Sequence, residues 1–338
     1  MAGILEQAAF FQKIKERIPA HLSMVDELED LLSISTDSAY RRIRGEKELS
    51  FSELQKIALH FNVSADLALN STTGDEIYFK YKPIDEEKFN LLDYTTNAYQ
   101  IVKKFADSGN CEMIYAAKDM PIFHDFYNDE LAAFKTFVWQ KTILGFRKFE
   151  NRKFSISGID TVLLQTGKKL LAEYIRFPST ELWNEETIQS TLLQIEYYAE
   201  SGLFENPTDA FLVLEKLEEY ILHIKSQAEK GFKFLIGEDP SPYSGTFKLY
   251  HNEVVLSDNT VLAILEDQMV SFITHNAFNF LSTSNDRFCD ASHKHFLNLM
   301  SRSSLISKDS EKQRNKFFAG LAIEVKNTRE KLQFLNRA

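Results

Sequence analysis

The residues best equipped for chemistry in this 338-residue chain stand together at Tyr40-Arg41-Arg42-Ile43-Arg44-Gly45-Glu46-Lys47. Four cations and one anion fill eight positions, and the hydrogen-bonding side chains Ser35, Thr36 and Asp37 lie just ahead of them. A guanidinium fork can make paired hydrogen bonds to a guanine edge or to phosphate oxygens, and Ser, Thr and Tyr hydroxyls add neutral donors. Such a set suits double-stranded DNA, where some side chains read bases and others fix the register on the backbone.

The elements that would position these residues are helical. Residues 5–18 place Leu5, Ala9, Ile14 and Ile18 near helical spacing, with Phe10 and Phe11 also available to a core, and Pro19 closes the run. Ser23 can cap a second helix whose apolar stripe is Val25, Leu28 and Leu32. Ser33 and Ile34 make a turn, and Ser35 caps a third helix with Ala39 and Ile43 inward. Thr36, Asp37, Tyr40, Arg41 and Arg44 then face outward, with Arg42 at the edge. Ser50 and Glu53 form an S-x-x-E capping box for a fourth helix, whose core stripe reads Phe51, Leu54, Ile57, Ala58 and Phe61. A short fifth helix opens at Val63 and runs through Leu69.

This run of five helices resembles the Cro/repressor-like, XRE-type helix-turn-helix family over about residues 5–70. Ile34-Ser35 at the turn, Arg41, Gly45 and the L-x-x-I-A-x-x-F-N-V-S-A-D run from Leu54 carry the resemblance. It implies that the third helix, residues 35–44, enters the major groove. Thr36, Asp37, Tyr40 and Arg41 would then meet bases, and Ser35, Arg44 and Lys47 would meet phosphates, with Arg42 beside them. The chain departs from the family pattern at Val25, Glu29 and Ser33, where a polar residue, alanine and glycine are usual. Stretches farther on, such as Tyr115 to Phe123 and Ser310 to Phe318, resemble uncharacterised Bacteroidetes regulators with a long C-terminal region.

The rest of the chain predicts a different texture. Residues 73–90 read as a linker or short strand, with Ile77, Phe79 and Tyr81 in an alternating run ahead of Pro83. Residues 91–230 read as helical, 231–283 as a strand-rich meander, and 284–338 as helical again. The fold class expected is therefore mainly α: an N-terminal five-helix domain over residues 1–72, a helical middle, and a small antiparallel sheet plus helices at the C-terminal end. The final segment, 308–338, holds eight basic and four acidic residues and reads as a helix that wraps the domain or pairs subunits.

Composition narrows the function. The net charge is −10, and residues 1–72 alone carry eight Lys/Arg against eleven Asp/Glu, so few phosphates would be neutralised per copy. Two copies on a pseudo-palindromic site would supply the missing affinity, and a homodimer is expected. No window is apolar enough to span a membrane, and two distant cysteines, Cys111 and Cys289, suit the cytoplasm. Enzyme signatures fail on inspection. His223-Ile-Lys225 begins an H-x-K-x4-D motif, but Lys230 stands where the acid belongs. Cys289, His293 and His295 lack a fourth ligand on one face. Phosphate-cradling glycine loops and G-x-S-x-G elbows do not occur.

The sequence thus predicts a non-catalytic, cytoplasmic DNA-binding transcriptional regulator without cofactor or metal. Its C-terminal region would dimerise and sense a small molecule, peptide or protein. The competing reading is a scaffold whose N-terminal helices bind a protein partner.

Overall fold

The computed structural model describes residues 2–15, 23–61, 63, 77–85, 87–158, 160–254, 256–275 and 279–336. They fall into two compact units that divide between Ile77 and Tyr78.

The smaller unit is helical. Its elements are α1 (Ala2–Lys15), α2 (Met24–Leu32), α3 (Thr36–Ile43) and α4 (Phe51–His60). Phe10, Phe11, Ile14, Leu28, Ala39, Ile57 and Val63 form its core, with Val25, Leu32, Ile43, Leu54, Ala58 and Phe61 packed against them. The capping box expected at Ser50 is present, with the Ser50 hydroxyl accepting from the Glu53 amide and the Glu53 carboxylate accepting from the Ser50 amide. Phe51 departs from the expected core stripe: it sits at the first turn of α4 and is 81% exposed. The fifth helix and the Pro19 stop lie outside the described residues.

The larger unit corrects the expected fold class. Helix accounts for 56% of the chain, but a seven-stranded mixed sheet holds another 14%, well beyond a small antiparallel C-terminal meander. Its strands are β1 (Cys111–Ala117), β2 (Ser179–Trp183), β3 (Phe247–His251), β4 (Thr260–Leu265), β5 (Gln268–Thr274), β6 (Phe280–Thr283) and β7 (Ser304–Leu305). The order across the sheet is β6-β5-β4-β1-β2-β3-β7. The three central strands are parallel, Tyr115 pairing with Glu181 and Glu181 with Leu249, whereas β4, β5, β6 and β7 join antiparallel.

Parallel neighbours require long crossovers, and the helices supply them. Helix α5 (Leu91–Asp107) precedes β1, and α6 (Asp129–Val138) with α7 (Thr161–Tyr174) connects β1 to β2. Helices α8 (Gln189–Glu200) and α9 (Thr208–Lys230) connect β2 to β3. After the meander come α10 (Asp286–Ser301) and the long α11 (Glu311–Leu335). Met113, Tyr115, Trp183 and Leu249 turn one sheet face into the main core, shared with α6 to α9 and α11. Ile114, Ala116, Leu182 and Leu262 turn the other face onto Cys289 and Phe296 of α10.

Two predicted runs are not strands. Phe232 to Ile236 contributes a single bridge, Phe232 to Thr246, and Val254 and Leu256 lie outside the sheet, with Val255 outside the described residues. The stretch expected as a linker or short strand contributes an isolated bridge. Lys80 exchanges both backbone hydrogen bonds with Ser282 at 2.7 and 3.1 Å, so the chain entering the larger unit pairs with the β6 edge.

Candidate nucleic-acid interface

The geometry around α3 is set by three local features. Ser23 caps α2, its hydroxyl accepting from the Asp26 amide. At the other end of α2, Ser33 adopts a left-handed backbone, φ 52°, and its N–H donates to the Glu29 carbonyl. A non-glycine residue in that region is strained. Ser35 then caps α3 through the Ser38 amide, and beyond the helix's C-cap, Arg44, the chain turns at Gly45, φ 75°, where a left-handed backbone favours glycine.

The turn and helix leave one face open. Ser35, Thr36, Asp37, Tyr40, Arg41, Arg44 and Lys47 are all exposed, Tyr40 to 48%. Ala39 is fully buried and Ile43 half-buried beneath them. Seven of the eight predicted site residues therefore share the solvent side of α3 and the segment after it. Arg44 rests 3.2 Å from Glu46, with both side chains about half exposed. Among the described residues, Arg41 and Lys47 enter no ion pair, so their charge is available to an anionic partner.

Arg42 departs from the sequence reading. It is 3% exposed, its Nη2 lies 2.6 Å from Glu53 Oε1, and its Nη1 donates to the Ser38 hydroxyl at 2.9 Å and the Ser38 carbonyl at 3.2 Å. The guanidinium ties the start of α3 to the start of α4. At Glu53, burial works to raise the carboxyl, but the Ser50 amide, the Arg42 guanidinium and the Ser50 hydroxyl outweigh it and hold the group below its usual range.

Gln7 of α1 is a second positioning residue that sequence reasoning passed over. Its amide nitrogen donates to the Arg42 and Lys47 carbonyls, each at 2.8 Å, and its amide oxygen accepts from the Leu49 amide at 3.1 Å. Three hydrogen bonds from one side chain thus fix the loop that carries Lys47. A glutamine beside Glu6 on an amphipathic run gives no sequence signal for this.

The larger unit buries its polar chemistry. Glu181 of β2 accepts from Trp183 Nε1 at 2.8 Å, from the Tyr174 hydroxyl, and from His124 Nε2 at 3.1 Å. His124 Nδ1 meets the Tyr220 hydroxyl at 2.7 Å. Lys233, fully buried, donates to the Tyr174 carbonyl at 2.6 Å and lies 3.7 Å from the Tyr174 ring centroid. Burial pushes the Lys233 ammonium down to about 7. Asp125, also enclosed, has neither carboxylate oxygen hydrogen-bonded, and burial pushes it up to about 7. The H-x-K motif is accounted for here too: His223 is buried and its Nε2 meets the Phe234 carbonyl at 2.8 Å. Cys289 is buried with its thiol toward the Met269 and Thr283 carbonyls, while His295 is exposed. Among the described residues no group of three or more His, Cys, Asp or Glu is placed to hold a metal ion, and no helix is long and apolar enough to cross a membrane.

Comparison with known proteins bears on the smaller unit. No curated protein and no solved structure matches the chain. A family model matches residues 12–79, and the match stops at the start of the larger unit. The model is that of the BetR domain, and this similarity supports a helix-turn-helix-like DNA-binding domain of regulators over residues 12–79.

Proposed function

We propose that the protein is a sequence-specific transcriptional regulator that reads the major groove with α3. The observation that carries this reading is the open face of that helix. Thr36, Asp37, Tyr40 and Arg41 stand clear of the core on the element that follows the turn, with Ser35, Arg44 and Lys47 at its margins. In this reading Arg41 makes the paired contact to guanine, and Lys47 and Arg44 take phosphates, Arg44 by exchanging Glu46 for the backbone. Arg42 acts through the fold rather than by contact. The register follows the Cro/repressor-like, XRE-type pattern, for which Ile34-Ser35, Arg41 and Gly45 remain the support.

The protein works as a homodimer in this account, because two or three neutralised phosphates per copy give weak binding and two linked copies multiply it. The larger unit supplies the dimer contacts and takes the effector, and the protein acts in the cytoplasm without catalysis. Selection of bound duplexes from a random library tests the proposal. A conserved half-site repeated about one helical turn apart, roughly 34 Å, supports a dimeric reader. Failure to enrich any sequence, with capture of a protein through residues 1–77 instead, supports the scaffold reading.

A further inference from the structure

The larger unit contains a pocket of about 380 Å³ that the DNA reading does not use. It opens among the first turn of α5, the end of α6, the segment 148–158 and the first turn of α7. That volume lies at the small end of small-molecule sites, roughly 300–1,000 Å³, and suits a molecule of one or two rings.

Its lining has two chemistries. Phe137, Phe149 and Phe154 provide aromatic faces. Lys148 and Arg152, both exposed, stand over the Phe149 ring at 5.3 and 5.5 Å from its centroid. The acid among the lining residues, Asp160, is engaged in capping α7, accepting from the Val162 and Leu163 amides at 3.0 Å each. The positive end of that helix offsets its charge, so the two cations set the sign of the mouth.

A second feature singles out the same place. Helix α6 runs into a π-helical turn, Trp139–Ile143, and Gln140 within it lines the pocket. Such turns are rare, cost helix regularity, and concentrate at functional sites. Here the turn lets the Phe146 amide reach the Gln140 carbonyl at 2.9 Å.

We infer that this pocket binds an aromatic carboxylate. The ring system lies against Phe137, Phe149 and Phe154, the carboxylate pairs with Lys148 and Arg152, and Gln140 offers a further hydrogen bond. Its role as an effector site rests on the regulatory reading, but the binding itself does not.

Calorimetric titration of the full chain, without DNA, tests the inference with three probes that share one ring system: indole-3-acetate, indole-3-acetamide and tryptamine. The expected result is saturable binding of indole-3-acetate, about five- to tenfold tighter than the neutral amide, with the cationic amine weakest. The double variant Lys148→Glu, Arg152→Glu should lose that preference while keeping the wild-type circular dichroism and melting temperature. Lys153→Glu, an exposed cation outside the lining, should leave it intact. The inference is overturned if none of the three probes binds saturably, if acetate and amide bind equally, or if the double variant binds as wild type. Because no DNA is present, each of these outcomes is independent of whether α3 reads a groove.

Discussion

Arg41 and Arg42 are neighbours with opposite fates, and burial decides between them. Arg42 faces Glu53 and Ser38 inside the small unit, whereas Arg41 points outward with no ion pair among the described residues. Arg42→Ala is expected to lower the melting stability of the small unit by about 1–3 kcal/mol, because it strips a partner from a carboxylate that is still partly wetted. Thermal denaturation followed by circular dichroism reads this directly; an unchanged melt would mean the pair contributes nothing. Ser33 offers the opposite test. Its left-handed backbone costs roughly 1 kcal/mol, so Ser33→Gly should raise stability by about that amount, and the same melt would show it. Sequence patterning could see that Ser33 occupied a glycine place. It could not see that Arg42 turned inward, since positions 42 and 43 sit side by side on the helix and a charged residue is assigned to the surface by default.

At the scale of elements, the small unit was legible because its signals are local: caps at Ser23, Ser35 and Ser50, and stripes such as Leu28 and Ile57. The two strands that overturned the fold class were not. β1 and β2 are covered on both faces, so they show continuous apolar or mixed runs rather than alternation, and such runs cannot be told from helix by period. Ser179-Thr-Glu-Leu-Trp183 hid further behind Glu181, whose buried carboxylate is held by Trp183, Tyr174 and His124 from distant segments. The same buried core makes a pH prediction. Asp125 is raised to about 7 in the fold from an ordinary 3.8, so the folded state holds its proton more tightly than the unfolded chain. Its cost is absent below about pH 4, grows as pH rises, and is complete above about 7. Asp125→Asn should therefore match wild type near pH 3.5 and exceed it by a few kcal/mol at pH 8, at about 1.4 kcal/mol per pKa unit. Urea denaturation at the two pH values measures the difference; a gap that does not change with pH would refute the assigned burial cost.

At the scale of the molecule, the chain pairs an acidic small unit with a large one whose sheet edge takes up Lys80. The account assigns dimerisation to the larger unit. Residues 78–338 alone are expected to sediment as a dimer, and residues 1–77 as a folded monomer that binds DNA poorly. The exposed Phe51 and Leu59, 81% and 76%, are the features of the small unit that could reverse this, by supplying an interface of their own. A monomeric large fragment beside a dimeric small one would move the dimer contacts to α4.

The central claim is that α3 reads DNA through Arg41, and fluorescence anisotropy of the full chain on its selected duplex, across a salt series, tests it most directly. The account predicts tight binding at low salt that weakens steeply, with a log–log slope of about −2 per copy from two or three phosphates at roughly −0.9 each. Arg41→Ala should weaken the selected duplex by about ten- to a hundredfold, corresponding to about 1–3 kcal/mol, with little change on a random duplex. Equal loss on both duplexes would place Arg41 on the phosphate backbone. No binding of any duplex at 50 mM salt would contradict the account.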